Sequence, residues 1–282
     1  MRLKSIAIVL ISIAVAGTTA SCTDIDNRVL PDETSQKVEK YTVDVMETHP
    51  FNQDSFTQGL EMTADGTVLV GTGLTGQSRL YESTLDGEEI RSVNMPDSEH
   101  FGEGITQHQD HVWQLTWKDG EAIKRDAENF ELFEVFPFDG EGWGLCATTT
   151  EDGDRLVMSD GTSTLQFRDP LDFSLIGQTR VTLEGEPLTL LNELECVSGD
   201  VYANVWGQNQ IVRIDLDTGI VNAVIDASSL DGSVSDHPDD VLNGIAHIPF
   251  TDRLLLTGKR WDKMYEVRLV PDKSDTLAPS GR

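Results

Sequence analysis

Short apolar runs, rich in β-branched and aromatic residues, recur along most of the chain. Five of them lie at residues 68–70, 112–116, 155–158, 201–205 and 253–257. Turn-forming clusters such as Ala64-Asp65-Gly66 and Ser198-Gly199-Asp200 separate them. Apolar runs of this length between turn clusters predict β-strands. The best helical candidate is one or two turns near residues 227–230, so the pattern predicts an all-β fold.

The strand pattern repeats along the chain. After a polar or Gly-containing break, each run is followed by a second apolar run, and these second runs start at residues 79, 122, 165, 211 and 264. Successive starts lie 43, 43, 46 and 53 residues apart. A period of about 40–50 residues with several strands in each unit is typical of a β-propeller. We therefore predict one five-bladed β-propeller over residues 41–270, with loops that meet at one end of a central channel.

The first 21 residues predict an export signal. Arg2 and Lys4 precede an apolar run at residues 6–16, and small residues lead from that run to Cys22. The run is shorter than the roughly 20 residues that span a bilayer. Residues 20–22 resemble the end of a lipobox, so we expect lipidation of Cys22, with ordinary signal-peptidase cleavage as the alternative. The protein would then be periplasmic or a membrane-anchored lipoprotein, with a flexible linker at 22–40 and a polar tail at 271–282.

Charge and cysteine content narrow the range of partners. The chain has 49 acidic and 21 basic residues, for a net charge of −28. Such a surface repels phosphates, so we expect no nucleic-acid partner. If Cys22 is lipidated, Cys146 and Cys196 remain, and an oxidising compartment would allow them to pair. The sequence does not show whether their Cα atoms lie close enough for a disulfide.

Three short motifs carry side chains suited to a pocket. They are FGEG at 101–104, EGWG at 141–144 and LNELE at 191–195. Glycine lets a backbone turn tightly and lets another molecule approach closely. We interpret a carboxylate or an indole between two glycines as a side chain with free space around it. The motifs fall at similar phases of the repeat, so we expect them to meet in space.

Nine motifs, in order, resemble the plant and bacterial type of glutaminyl-peptide cyclotransferase. They are FTQGL (56–60), FGEG (101–104), QLTW (114–117), EGWG (141–144), MSDG (158–161), LNELE (191–195), ANVW (203–206), DVLNG (240–244) and TGK (257–259). The resemblance runs from about residue 49 to residue 269. It implies a five-bladed propeller that converts the N-terminal glutamine of peptides or proteins to pyroglutamate and releases ammonia. In the first unit, VGTGL (70–74) stands where relatives commonly carry an acidic residue.

The resemblance also implies a set of site residues. Glu103 would carry the proton from the attacking α-amine to the departing ammonia, and Lys259 would stabilise charge on the amide oxygen. Two amide side chains, Gln58 and Asn192, would orient the substrate. Four aromatic side chains would hold the glutamine stem: Phe56, Trp117, Trp143 and Trp206. Each of them also has a purely structural interpretation, as a loop-bonding or core-packing residue. We expect Glu195 to be structural.

The sequence predicts no metal site and no cofactor. His108 and His111 are close together but lack a third ligand, and a structural calcium ion is conceivable without being predicted. Two other classes of protein stay open. One is a non-catalytic propeller that binds an extracytoplasmic peptide or glycan. The other is a calcium-dependent, lactonase-like hydrolase with Glu103, Asn192 and Asn243 as ligands. We expect a monomer.

Overall fold

The computed structural model describes residues 37–232 and 237–273. The predicted signal peptide, Cys22, nearly all of the predicted linker and most of the polar tail lie outside the described residues. The described chain consists of strands and turns, and no helix within it is long and apolar enough to cross a membrane. The all-β prediction is therefore confirmed.

Strand β1 (Glu39–Pro50) opens the described chain, and three four-stranded antiparallel sheets follow it. The first contains β2 (Thr57–Met62), β3 (Val68–Thr72), β4 (Arg79–Ser83) and β5 (Glu89–Asn94). The second contains β6 (Gly102–His108), β7 (His111–Thr116), β8 (Glu121–Asp126) and β9 (Leu132–Pro137). The third contains β10 (Leu145–Thr150), β11 (Gly153–Met158), β12 (Thr164–Arg168) and β13 (Leu175–Arg180). In each sheet, neighbours in sequence are neighbours in space, as short turns require.

The remaining strands form a small hairpin and one large sheet. The hairpin, which the repeat pattern did not predict, pairs β14 (Thr182–Leu183) with β15 (Glu186–Pro187). The large sheet contains β16 (Leu191–Val197), β17 (Asp200–Val205), β18 (Gln210–Asp215), β19 (Val221–Asp226), β20 (Leu242–His247), β21 (Arg253–Gly258) and β22 (Lys263–Pro271). Strand β1 completes it, lying parallel to β19 and antiparallel to β22. The first described strand thus completes a four-stranded half with β20, β21 and β22 and joins that half to the other, which consists of β16 to β19.

The first strand of each repeat unit lies innermost. Strand β2 contacts β6, β6 contacts β10, β10 contacts β16, β16 contacts β20, and β20 returns to β2. The cores lie between neighbouring sheets and consist of the alternating inward residues of their strands. Trp113, fully buried beside Phe136 and Phe173, anchors one of these cores. This tryptophan belongs to the core, unlike the three assigned to a pocket.

The predicted strand runs are confirmed, but the helical candidate near residue 227 is wrong. The Leu230 N–H donates to the Ala227 carbonyl oxygen at 3.1 Å, which closes one isolated turn. Polar residues and glycine follow this turn, so no apolar stripe is available to support a helix.

The glycines of the motifs let backbone strands approach each other closely. A Cβ on Gly104 would lie 2.6 Å from the Trp143 carbonyl oxygen, and one on Gly144 would overlap the Asn192 carbonyl oxygen. Our interpretation that these glycines clear space around a reactive side chain is therefore wrong. They draw the inner strands together. Room for the Trp143 indole comes from Gly161, where a Cβ would lie 2.7 Å from the ring and where φ is +78°.

A disulfide joins two of the inner strands. Cys146 on β10 pairs with Cys196 on β16, and their Cα atoms lie 5.5 Å apart. This pairing, which the sequence left open, is present in the structure and closes a loop with a sequence separation of 50. Closing a loop of that length restricts the unfolded chain by about 4 kcal/mol in the chain-entropy model.

Candidate active site

A cavity of about 390 Å³ opens where the inner strands begin. All eight predicted catalytic and substrate-binding residues line it. Its lining is Phe56, Gln58, Leu74, Phe101, Glu103, Trp117, Trp143, Asn192, Trp206, Asp239 and Lys259. Side chains from distant repeat units therefore share one concave and mostly aromatic space, which is typical of a small-molecule site.

Glu103 lies at the start of β6 and is only 5% exposed. The Gln58 Nε2 group donates a hydrogen bond to its Oε1 atom at 2.9 Å. Asn243 orients Gln58 in turn, because its Nδ2 donates to Gln58 Oε1 at 3.2 Å and to the Thr57 carbonyl oxygen at 2.9 Å. This chain of amides fixes which end of Gln58 faces the carboxylate.

The electrostatic surroundings shift the pKa values of Glu103 and Lys259 toward each other. Burial raises the pKa of the Glu103 carboxyl well above its ordinary value, against the opposing attraction of Lys259, and the charge of Glu141 adds to the rise. Burial also lowers the pKa of the Lys259 ammonium, although the Glu103 and Asp239 carboxylates oppose this effect. A buried acid and a buried base with perturbed pKa values in one cleft are typical of a catalytic site.

Lys259 follows β21 and is 4% exposed. Its Nζ atom lies 4.7 Å from the centre of the Phe56 ring, a cation–π distance. The Arg260 guanidinium lies on the same ring at 4.8 Å and forms an ion pair with Asp240 at 2.6 Å. The ammonium therefore lies over the Phe56 ring, and Lys259 lines the cavity.

Two groups of aromatic side chains form the walls. Phe101 contacts Phe56 and Trp117 edge to face, with ring centres 6.1 and 5.5 Å away. Trp143 contacts Trp206 at 6.4 Å, and Trp206 is 38% exposed at the rim. Aromatic pairs in this geometry are mutually favourable and leave flat apolar surfaces toward the cavity.

Glu141 ties these walls together. Its Oε2 atom accepts hydrogen bonds from the Trp117 Nε1–H at 2.8 Å and from the Trp143 Nε1–H at 3.0 Å. Hydrogen bonds to a charged acceptor are stronger than neutral ones. One carboxylate therefore sets the angle between two indoles. The Lys118 Nζ atom lies over the Trp117 ring, 3.8 Å from its centre.

Asn192 supplies a free acceptor. Its side chain is 2% exposed, and its Oδ1 atom has no hydrogen-bond partner among the described residues. The backbone around it is fixed, because Ser159 Oγ donates to the Asn192 carbonyl at 2.7 Å and accepts from the Gly144 N–H at 2.7 Å. A buried acceptor without a partner is costly, and a donor on a ligand would satisfy it.

Glu193 and Glu195 have structural partners. Glu193 accepts backbone N–H bonds from Leu60 at 3.1 Å and from Ile245 at 2.8 Å, reaching two other inner strands. Glu195 accepts the His247 N–H at 2.9 Å. Burial raises the pKa of both carboxyls well above the ordinary value. Neither lines the cavity, which agrees with the structural assignment of Glu195.

The sequence missed four contributors to the site. Phe101 and Glu141 stand inside quoted motifs, and their position beside a predicted residue was the available signal. Nothing in the sequence around Leu74 or Asp239 pointed to a pocket residue. Leu74 has a positive φ of 84°. Asn243, named as a ligand in the hydrolase alternative, orients Gln58 and does not line the cavity.

Comparison with known proteins identifies the family and agrees with the all-β fold. Residues 9–269 match the family model described as glutamine cyclotransferase. A glutaminyl-peptide cyclotransferase from Arabidopsis thaliana is 35% identical over 233 residues, which is 80% of this chain and 71% of the relative. The crystal structure of Myxococcus xanthus glutaminyl cyclase has a TM-score of 0.75 and 32% identity, and the match covers 84% of this chain and all of that one.

These matches, together with the all-β fold, place the protein in the glutaminyl cyclase class of enzymes. The chain belongs to the glutamine cyclotransferase family.

Proposed function

We propose that the protein is a glutaminyl-peptide cyclotransferase whose cavity converts an N-terminal glutamine to pyroglutamate, with Glu103 as the proton carrier. One observation carries the mechanism: a buried carboxyl, a buried ammonium and an aromatic wall share one cavity. Family membership supports the reaction class, which is an aminoacyl transfer within one substrate.

Substrate binding follows from the lining. The glutamine stem packs against the indoles of Trp117 and Trp143, whose orientation Glu141 fixes. The Oδ1 atom of Asn192 accepts a hydrogen bond from the substrate amine or amide. Holding the α-nitrogen close to the γ-carbonyl carbon favours ring closure, and such positioning is worth several kcal/mol.

The chemistry needs one proton to change nitrogen atoms. The α-nitrogen bonds to the γ-carbon, and the Glu103 carboxylate takes the proton that this nitrogen loses. The carbon–nitrogen bond of the side-chain amide then breaks, and Glu103 returns the proton to the departing nitrogen, so the products are a lactam and ammonia. Because burial raises the pKa of Glu103, its carboxylate is a stronger base toward the α-nitrogen than an exposed carboxylate would be.

Lys259 stabilises the negative charge that develops on the amide oxygen. Its ammonium is buried, and its position is fixed on the Phe56 ring. A pre-positioned cation in a dry cavity stabilises such an oxyanion more than water does. Activity requires ionised Glu103 and protonated Lys259, so we expect a bell-shaped pH profile.

For the architecture, we propose a five-bladed β-propeller. Three four-stranded sheets and the two halves of the eight-stranded sheet correspond to five blades, with β1 as the outer strand of the last unit. The closed series of inner-strand contacts supports this arrangement. A crystal structure with four or six units around the axis would contradict it.

A direct assay tests the function. The protein is incubated with a Gln-initiated dipeptide, with and without EDTA, and released ammonia is measured. Release that resists EDTA supports a cyclase whose chemistry needs no metal. Release abolished by EDTA would favour the metal-dependent hydrolase, and no release would favour the non-catalytic binding module.

We also propose that the protein is exported and lipidated at Cys22, and that it acts as a monomer on exported peptides or proteins. The N-terminal sequence supports export, and the disulfide between Cys146 and Cys196 is typical of an oxidising compartment. Mass spectrometry of the mature protein tests lipidation, because Cys22→Ser should lose the acyl mass. An N-terminus without lipid in the wild type would favour ordinary cleavage, and size-exclusion chromatography tests the monomer.

A further inference from the structure

We infer that Glu47, His49 and Glu266 form a binding site for a divalent transition metal of the zinc type. Glu47 and His49 lie on β1, and Glu266 lies on β22. One ligand atom from each side chain lies within 4.8 Å of the other two. None of the three residues lines the proposed active site.

Strand pairing brings these residues to one face. Glu47 stands directly opposite Glu266, and His49 stands opposite Met264. Because side chains two residues apart point to the same side of a strand, Glu47 and His49 share the face that carries Glu266. Two carboxylates directly opposite each other repel, and a cation between them removes that cost.

The buried imidazole provides the second observation. His49 is 7% exposed, and its Nε2 atom is buried without a hydrogen-bond partner among the described residues. Nε2 faces Glu266 Oε2 at 3.7 Å, too far for a hydrogen bond. Two ligand atoms on one tetrahedral ion, each about 2.0–2.2 Å from it, lie roughly 3.3–3.6 Å apart. A small movement of either side chain reaches that spacing.

The surroundings prepare Glu266 to act as a ligand. Its other oxygen, Oε1, accepts a hydrogen bond from Arg253 Nη1, so Oε2 remains directed at His49. Outer partners of this kind orient metal-binding carboxylates. The side chain of Glu266 is 8% exposed, and Glu47 lies at the surface, so Glu47 closes the site from the solvent side.

The donor set selects the metal. One imidazole and two carboxylates suit zinc and its neighbours, whereas calcium takes six to eight oxygen ligands. Three protein ligands leave one tetrahedral position for water. The bound ion would link β1 to β22, the strand pair that joins the two ends of the described chain. This site was not predicted from the sequence because the third ligand lies more than two hundred residues from the other two.

Metal-free protein, prepared with EDTA and dialysed, tests the proposal by calorimetric titration with Zn²⁺. We expect one saturable site. At free zinc about 100 times the Kd, the Tm should rise by roughly 5–10 °C. Co²⁺ in place of zinc should give the visible absorption of a tetrahedral site. Ammonia release from the dipeptide should not change, so this test is independent of the proposed function.

The variant Glu47→Gln separates binding from folding. Glu47 is exposed, and its replacement removes a repulsion, so the metal-free Tm should stay equal or rise while zinc affinity falls at least tenfold. His49→Gln should lose the cobalt spectrum, and Glu88→Gln, an exposed change elsewhere, should bind like the wild type. Absence of saturable binding, or equal affinity in Glu47→Gln and Glu88→Gln, would overturn the proposal.

Discussion

Replacing Glu103 by glutamine should abolish most turnover and leave the fold intact. The change keeps the shape of the side chain, and its amide oxygen still accepts the bond from Gln58. General acid–base catalysis is worth about 10²–10⁴-fold, and the same carboxylate serves two transfers. We therefore expect kcat to fall roughly 10³-fold or more, which corresponds to about 4 kcal/mol of transition-state stabilisation.

For the same variant we also expect a change in how the stability of the folded state depends on pH. Burial raises the pKa of Glu103 in the folded state, so the folded protein binds its proton more tightly than the unfolded chain does. That contribution to stability is fully present below the unfolded pKa and is lost as pH rises through the folded pKa. Each unit of elevation corresponds to about 1.4 kcal/mol. Glu103→Gln should therefore match the wild-type Tm near pH 4.5 and exceed it at pH 8, by about 2–4 °C for each kcal/mol.

Two measurements check this reasoning. Ammonia release from a Gln-initiated dipeptide gives kcat, and differential scanning calorimetry at several pH values gives Tm. The surface variant Glu88→Gln should change neither. A Glu103→Gln protein that keeps more than a tenth of wild-type kcat would refute the proton-carrier role. A Tm below that of the wild type at pH 8 would refute the electrostatic argument.

Three further variants test other parts of the site and the fold. Glu141→Gln keeps both indole hydrogen bonds but through a weaker acceptor, so KM should rise several-fold. Because the Glu141 charge raises the pKa of Glu103, its removal should also move the acid limb of the pH–rate profile to lower pH. An unmoved limb would contradict this. Lys259→Met should lower kcat by about 10²–10³-fold without lowering the urea midpoint, since it removes a buried charge; an unchanged kcat would count against the oxyanion role. Glu193→Ala leaves two buried N–H groups without acceptors and should destabilise the fold by about 2–6 kcal/mol in urea unfolding, whereas a change below 1 kcal/mol would show that Glu193 does not brace the inner strands.

Local pattern sufficed to predict the strands, whereas the site residues were predicted from the resemblance to a known family. Apolar runs bounded by turn residues specify strands, and the repeat spacing indicates that each unit holds several of them. Because the motifs lie at the start of the first strand in several units, their convergence in one cavity followed from the repeat itself. Glu103, Trp143 and Lys259 line that cavity although they come from three different units.

What the sequence missed depends on contacts between units. The role of Gly104 was misjudged because the atom that a Cβ would meet, the Trp143 carbonyl oxygen, belongs to the next unit. Glu141 was quoted in a motif, but its two indole partners become visible only when both rings are placed. The disulfide between Cys146 and Cys196 could not be predicted because the distance between their Cα atoms does not follow from their spacing in the sequence.

Strand β16 carries one residue that faces the cavity and another that binds to neighbouring inner strands. Asn192 faces the cavity, and the next residue, Glu193, reaches the backbone of Leu60 and Ile245 on two other inner strands. A change in the spacing of these strands would therefore displace Asn192 from the substrate. The acceptor that we propose for the substrate amine is thus held by the same strand that braces the fold. We therefore expect loss of activity and loss of structure to coincide in urea, because an opening at Asn192 would also strain the bonds from Glu193 to the Leu60 and Ile245 N–H groups.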